Sequence, residues 1–474
     1  MTISPVGRTP DEIMTLLHGF KAQDMDWRSG RVFAYIYQPA EIAATLVKEA
    51  YSLYLSENCL DPTTFPSVAQ LENDVVRMIA GLLQGDECVV GNMTSGGTES
   101  ILLAVKTARD WARAHRPHVT QPEMILARTA HAAFHKAGHY LGVKPVVVEF
   151  DPVTFEADVT AMRAAITDNT ILLVASAPCY SQGVIDPVPA IATLAQEYGA
   201  LCHVDACVGG MYLPFLRTLG RTIPPFDFSV PGVTSISVDM HKYGYAAKGA
   251  SVVLYRDRSL RRHQIFASTE TTAYTIINPT ALSSRSAGPI AGAWAILNYL
   301  GEAGYRDLVA TVQAATERLM AGVDAIDGLY VLGRPAMSMF SFASQAINVF
   351  QLADALRRRG WYLQPQFSTP RSPRNLHVSI TYGVAHNVDA LIADIAACVE
   401  EVRHMPPIDL ALVRSVVEAL TQDPSPAVVE GLMAAVGLQP GALPQEMALI
   451  NEVLDTLPDA VANEVLIDFF NNLY

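Results

Sequence analysis

Ser237-Val238-Asp239-Met240-His241-Lys242-Tyr243-Gly244-Tyr245 is the stretch that decides how this chain reads. A short apolar run ends in His-Lys, a Tyr-Gly pair breaks it, and Lys248-Gly249 leads into a second apolar run, Ser251–Tyr255. Short apolar runs bounded by glycine read as buried strands. A lysine at the end of such a strand has a chemical use: its amine can form a Schiff base with an aldehyde cofactor. The plain alternative is a surface lysine.

Thirty-seven residues before Lys242, His203-Val204-Asp205-Ala206-Cys207 closes the run Leu201–Asp205 and passes into Gly209-Gly210. A carboxylate at the C-terminal edge of a parallel sheet sits where such folds place ligands; alone, it reads equally as a cap for the next turn. Further upstream, Thr94-Ser95-Gly96-Gly97-Thr98-Glu99-Ser100 follows the apolar pair Val89–Val90 and opens a helix with apolar positions at Ile101, Val105, Ala108 and Ala112. Free N–H groups and the positive dipole end at a helix start suit a phosphate, although an ordinary cap has the same composition. Pyridoxal 5′-phosphate needs one of each: a helix start for its phosphate, a lysine for its aldehyde, and a carboxylate that keeps its ring nitrogen protonated. The spacing between Asp205 and Lys242 leaves room for one strand–helix–strand step.

Around these motifs the chain alternates strands and helices. Strands are predicted at Met124–Ala127, Pro145–Phe150, Ile171–Ala175, Leu201–Asp205, Ser235–Asp239 and Ser251–Tyr255, with helices at Ala132–Leu141 and Pro187–Tyr198. That order predicts an α/β fold with a mainly parallel central sheet covered on both faces. Helices are expected at Ala40–Leu55 and after Pro66. After Gly301 a long helix, Tyr305–Ile326, opens a smaller α/β unit with strands around Ser338–Phe342 and His377–Thr381 and helices at Leu352–Arg359 and Val388–Arg403. The expected division is an N-terminal arm (1–57), a large cofactor-binding domain (58–310) and a small C-terminal α/β domain with an acidic helical tail (311–474). Pro424, Pro440, Pro444 and Pro458 punctuate that tail.

Half of the 474 residues are apolar and 17% are charged, which excludes a disordered chain. The formal charge is -14, and residues 405–474 hold ten acidic residues against the single basic Arg414. Nucleic-acid binding is disfavoured by that balance. No apolar run is long enough to span a membrane, and the N-terminus has neither a basic start nor an apolar stretch. Six cysteines without a Cys-x-x-Cys pair predict reduced thiols and a soluble, cytoplasmic protein.

Thr94–Ser100, the segment His131-Ala132-Ala133-Phe134-His135-Lys136-Ala137, residues 203–210, residues 237–249 and Arg357-Arg358-Arg359-Gly360-Trp361 together resemble the sphingosine-1-phosphate lyase family, within the group that includes the aromatic amino-acid and glutamate decarboxylases. The likeness runs from about Gly30 to His404. It implies a fold type I (aspartate aminotransferase-like) homodimer with shared active sites and pyridoxal 5′-phosphate on Lys242. Asp205 would partner the ring nitrogen, His131 would stack on the ring, and Ser95, Gly97, Thr98 and His241 would hold the cofactor phosphate. Ala281–Gly288 looks like the family loop that would bring Ser284 into the neighbouring subunit's site. Lys248, Tyr37 and Tyr180 would hold the phosphate of a long-chain amino-alcohol substrate. Retro-aldol cleavage of its Cα–Cβ bond would release a fatty aldehyde and phosphoethanolamine. An amino-acid decarboxylase, or an inactive interaction protein of the same fold, are the other readings. Asp61 stands where the family usually has a histidine, Ala247 where it has a proline, and Ser286-Ala287 where it has Arg-Pro.

His131, His135 and His139 are spaced to share one helix face, but no carboxylate–histidine motif accompanies them and no metal is expected. The arginines of 256–262 and 357–359 read as solvated faces or dimer contacts.

Overall fold

Seven strands build the central sheet: β1 (Val90–Thr94), β2 (Glu123–Ala127), β3 (Lys144–Val148), β4 (Thr170–Ser176), β5 (Leu201–Asp205), β6 (Ser235–Val238) and β7 (Ser251–Tyr255). Their order is β1-β7-β6-β5-β4-β2-β3. The computed structural model describes residues 2–272, 274–423, 425, 428 and 446–473. β3, β2, β4, β5 and β6 run parallel, while β7 is antiparallel to both β6 and β1. Every residue of β2, β4, β5, β6 and β7 is buried, because crossover helices cover both faces of such a sheet. The predicted strands therefore stand, with β1 added. It extends the pair Val89–Val90 up to Thr94, so the Thr-Ser-Gly-Gly motif begins at a strand end.

The parallel register has a direct consequence for chemistry. Ser176 pairs with Asp205 and Asp205 with Ser237, so three polar side chains stand side by side at the C-terminal ends of β4, β5 and β6.

The passage to the smaller unit is made inside one helix. Gly288–Asp324 starts well before the expected Tyr305 and bends at Gly301, whose φ of 55° lies in the left-handed region open to glycine. It packs on the helices Glu41–Leu53 and Pro66–Leu82. Beyond it lies a four-stranded antiparallel sheet of Leu329–Val331, Met339–Ser344, Asn375–Ser379 and Gln364–Gln366. Two of these strands, each of three residues, carry too short a pattern to be predicted.

The tail is helical at Leu410–Gln422, Ala448–Thr456 and Asp459–Leu473; Pro424, Pro440 and Pro444 lie outside the described residues. Helix Ala448–Thr456 is fastened to the small unit. Asp354 accepts from the backbone N–H groups of Met447 and Ala448, and Arg374 pairs with Glu452 and Asp455. The arginine clusters are clamps as much as solvated faces: Arg256 donates to the carbonyls of Val233, Phe228 and Val230, and Arg359 pairs with Asp394 and Glu401.

Two buried histidines make the fold acid-sensitive. His203 bonds to Ser235 and Ser237, and His377 to the Ser181 carbonyl and Ser379. Burial lowers each to a pKa of about 4 from 6.5. Between pH 6.5 and 4 the unfolded chain binds more protons than the folded one, so stability falls as pH falls, by up to roughly 3 kcal/mol per histidine. Asp186 opposes this below pH 6, since burial raises it to about 6 and its protonation favours the fold. Melting temperature should drop between pH 7 and pH 5, and His377→Gln should flatten that drop. An unchanged slope in the variant would contradict the assignment.

Candidate active site

The C-terminal edge of the large sheet opens into a cavity of about 320 Å³. Ser95, Gly97, Thr98, His131, Tyr180, Asp205, His241 and Lys242 all line it, with Ser176, Cys207 and Asp239. Residues spread over 148 positions of the chain thus converge on one space. Tyr37 stands beside this wall, its ring edge-on to Tyr243 at 5.1 Å.

Helix Gly97–His115 starts at the cavity, and no side chain caps its first turn. Its leading N–H groups are therefore available to an anion. Gly97 has to be glycine: a Cβ there would lie 2.8 Å from both carboxylate oxygens of Asp239 and 2.9 Å from Cys207 Sγ. Glu99 ties this loop to the next, accepting from the Ser95 N–H and from the Ala281 N–H.

Lys242 Nζ lies 3.0 Å from Asp239 Oδ2. Burial pushes the lysine down, but the charges of Asp239 and its neighbours outweigh that and hold it well above the ordinary lysine value. For Asp239, burial acts upward, and the charges of Lys242 and His241 bring it below the usual carboxylate range. The pair holds the amine as a cation. Asp239 was missing from the sequence-derived set, although its i, i+3 spacing to Lys242 lies within the decisive stretch.

Asp205 is buried, and its Oδ1 accepts from the Cys207 N–H at 3.0 Å and from Ser237 Oγ at 3.4 Å. Ser237 is in turn bonded to His203 Nε2 at 3.2 Å. Ser176 Oγ, beside Asp205 in register, is buried and has no hydrogen-bond partner among the described residues. It is a donor left over for a ligand. Ser176 carries no motif, and only strand register brings it beside Asp205, whereas Ser237 and Cys207 belong to the two stretches that also hold Lys242 and Asp205.

His131 precedes its helix, which spans Ala133–Leu141, so it does not share a helix face with His135 and His139. Its Nδ1 accepts from the Ala133 N–H at 3.1 Å, which fixes the ring at the cavity wall. His241 Nδ1 accepts from the Ala250 N–H, and its Nε2 lies 3.6 Å from Asp239. Burial lowers its pKa.

Lys248 is just outside this wall. Its Nζ donates to the carbonyls of Tyr35 and His241 and sits 5.1 Å over the Tyr37 ring. Burial and the charge of Lys242 lower its pKa. Tyr180 donates to Gln364 at 2.7 Å and faces His377 at 4.3 Å. Ser284 is exposed and is not among the residues that line the cavity, whereas its neighbour Arg285 is buried in a two-point ion pair with Glu72 and donates to the Met93 carbonyl. Asp61 is likewise not among the lining residues; its carboxylate is taken up by Thr63 and Thr64 of its own loop.

A free helix start, a carboxylate, an unpartnered hydroxyl and a half-buried lysine around one cavity fit pyridoxal 5′-phosphate in charge and chemistry. Residues 17–343 match the pyridoxal-dependent decarboxylase conserved domain, and residues 411–472 match the C-terminal putative HTH domain of pyridoxal-dependent enzymes. The chain is 41% identical over 406 residues to a sphingosine-1-phosphate lyase of Oryza sativa subsp. japonica, covering 84% of this chain and 74% of the relative. A sphingosine-1-phosphate lyase of Arabidopsis thaliana is 40% identical over 412 residues, 85% of this chain and 74% of the relative. The solved sphingosine-1-phosphate lyase of Burkholderia pseudomallei superimposes with a TM-score of 0.82 at 35% identity, covering 89% of this chain and 96% of that one. A sheet of this order, a lysine at this strand end and these similarities make the protein a fold type I, pyridoxal phosphate-dependent carbon–carbon lyase; the chain belongs to the pyridoxal-dependent decarboxylase family and, within it, to the sphingosine-1-phosphate lyases.

Proposed function

We propose that this enzyme cleaves the Cα–Cβ bond of phosphorylated long-chain bases of the sphingosine 1-phosphate type, giving a fatty aldehyde and phosphoethanolamine. The observation that carries the reading is Lys248 over the Tyr37 ring beside Lys242: a second cation next to the reactive amine, where a substrate phosphate needs one. When bound, pyridoxal phosphate supplies the aldehyde that takes the substrate amine and the electron sink for the bond that breaks. Lys242 is the amine that holds the cofactor and the proton carrier of the site. Asp205, braced by Cys207 N–H and Ser237, holds the proton on the ring nitrogen. The start of helix Gly97–His115, with Ser95, Thr98 and His241, binds the cofactor phosphate, and His131 covers the ring. Tyr37, Tyr180 and Lys248 orient the substrate head group. In the net reaction the C3 hydroxyl loses its proton, the C2–C3 bond breaks, and C2 gains a proton.

We further propose a cytoplasmic homodimer in which Ser284 enters the partner's site. The exposed residues 281–284 and an N-terminal helix, Pro10–Lys21, with Ile13, Met14, Leu17 and Phe20 turned outward support that assembly. The six free cysteines support the compartment.

Incubation with sphingosine 1-phosphate should yield fatty aldehyde plus phosphoethanolamine; carbon dioxide and an amine from amino acids would mark a decarboxylase instead. Lys248→Gln should raise KM for the phosphorylated substrate about tenfold or more, as expected for a lost charge-assisted contact, and leave the cofactor band in place. Unchanged turnover of the phosphorylated base would argue against the assignment of Lys248.

A further inference from the structure

We propose that the apolar groove between the small unit and the last two helices seats the hydrocarbon chain of the substrate, which makes the C-terminal helical module a specificity-determining part of the enzyme. The inference rests on the substrate reading given above. The groove has a volume of about 420 Å³ and is walled by Tyr35, Trp361 and Gln364 on one side and Ile450, Leu454 and Leu466 on the other. That is the size and lining of a small-molecule site.

Two contacts join it to the active site. Tyr180 lines the cofactor cavity, and its hydroxyl donates to Gln364 of the groove. Tyr35 accepts from Lys248 through its carbonyl and pairs through its hydroxyl with Tyr362, also in the groove, at 3.1 Å. One residue therefore touches the cation that faces the head group and forms the rim of the apolar space. Tyr35 also has a φ of 62°. For a bulky aromatic this left-handed conformation is an outlier, of a kind that gathers at functional sites.

The chemistry of the two spaces is complementary. The cofactor cavity is lined mostly by polar and charged groups and suits the head of an amphiphile; the groove suits its tail. The part of the far wall that carries Ile450 and Leu454 is fastened to the small unit, since Arg374, Asn348 and Asp354 hold helix Ala448–Thr456. Residues 411–472 match a putative helix-turn-helix domain, but nine acidic residues against one arginine there oppose any phosphate backbone.

Leu454→Trp fills the groove. In the holoenzyme, kcat/KM for sphingosine 1-phosphate should fall about tenfold or more, while an analogue with the same head and a tail of a few carbons keeps its rate and the cofactor band is unchanged. Leu466→Gln, at an exposed position, should give a smaller loss of the same kind if the tryptophan variant does not fold. Equal losses for both tails, or none, overturn the proposal; equal losses with a change in oligomeric mass would make a second copy of the chain the occupant. If the unaltered enzyme cleaves neither base, the proposed function falls, and binding of a fluorescent long-chain alkyl phosphate decides for the groove. Loss of that binding in Leu454→Trp upholds it, and unchanged binding sinks it.

Discussion

Lys242→Ala will abolish turnover, by a factor on the order of 10⁴ or more, the scale seen when a covalent group is removed. It will also remove the visible absorption band that borohydride reduces. The structure explains why no neighbour can substitute. Lys248 is the other lysine near the site, but it is not among the residues that line the cavity, and its amine is engaged with the carbonyls of Tyr35 and His241. The fold should tolerate the change, although Asp239 loses its closer partner and keeps only His241 at 3.6 Å. Asp239 Oδ1 already has no hydrogen-bond partner among the described residues, so an uncompensated buried carboxylate would remain. Some loss of stability should accompany the loss of activity, and Lys242→Arg should restore the former without the latter. A borohydride-sensitive band that survives in Lys242→Ala would refute the assignment of this lysine. Its absence from the unaltered protein would favour an inactive relative.

Asp205→Asn should lower kcat by about 10²–10³, the magnitude usual for one preorganised charge at a reacting centre, with the cofactor still bound. The isosteric amide can still accept from the Cys207 N–H and from Ser237, so the geometry of the strand end should be kept. What it removes is the negative charge that favours a protonated ring nitrogen. Steady-state kinetics together with the cofactor spectrum check this. A kcat unchanged in Asp205→Asn would mean that the ring nitrogen is served elsewhere, with Ser176 as a polar group in register that has no hydrogen-bond partner among the described residues.

The site was legible in sequence wherever chemistry is local. The glycines and hydroxyls of 94–98 stand next to one another because a helix start is built from consecutive residues. Asp205 and Lys242 each end an apolar run because strands of a parallel sheet present ligand groups at one edge. Asp239 sits three residues before Lys242 in the same stretch, and only the fold of the turn between them shows that its carboxylate meets the lysine amine. The helix from Gly288 was seen only from Tyr305 onward, because the break at Gly301 looks like a boundary when the packing that carries the helix through it is out of view.

Motif order alone determined that this chain is an α/β protein with a helix start, a carboxylate and a lysine suited to pyridoxal phosphate, since each of those signals lies within a few consecutive residues. The tertiary structure decided what depends on pairing between distant segments: the register that aligns Ser176, Asp205 and Ser237, and the engagement of Asp61 within its own loop. It also decided the groove that the last helices form beside Tyr35 and Gln364. Strand register and helix docking are set by burial summed over the whole core, and no local window of sequence contains that sum.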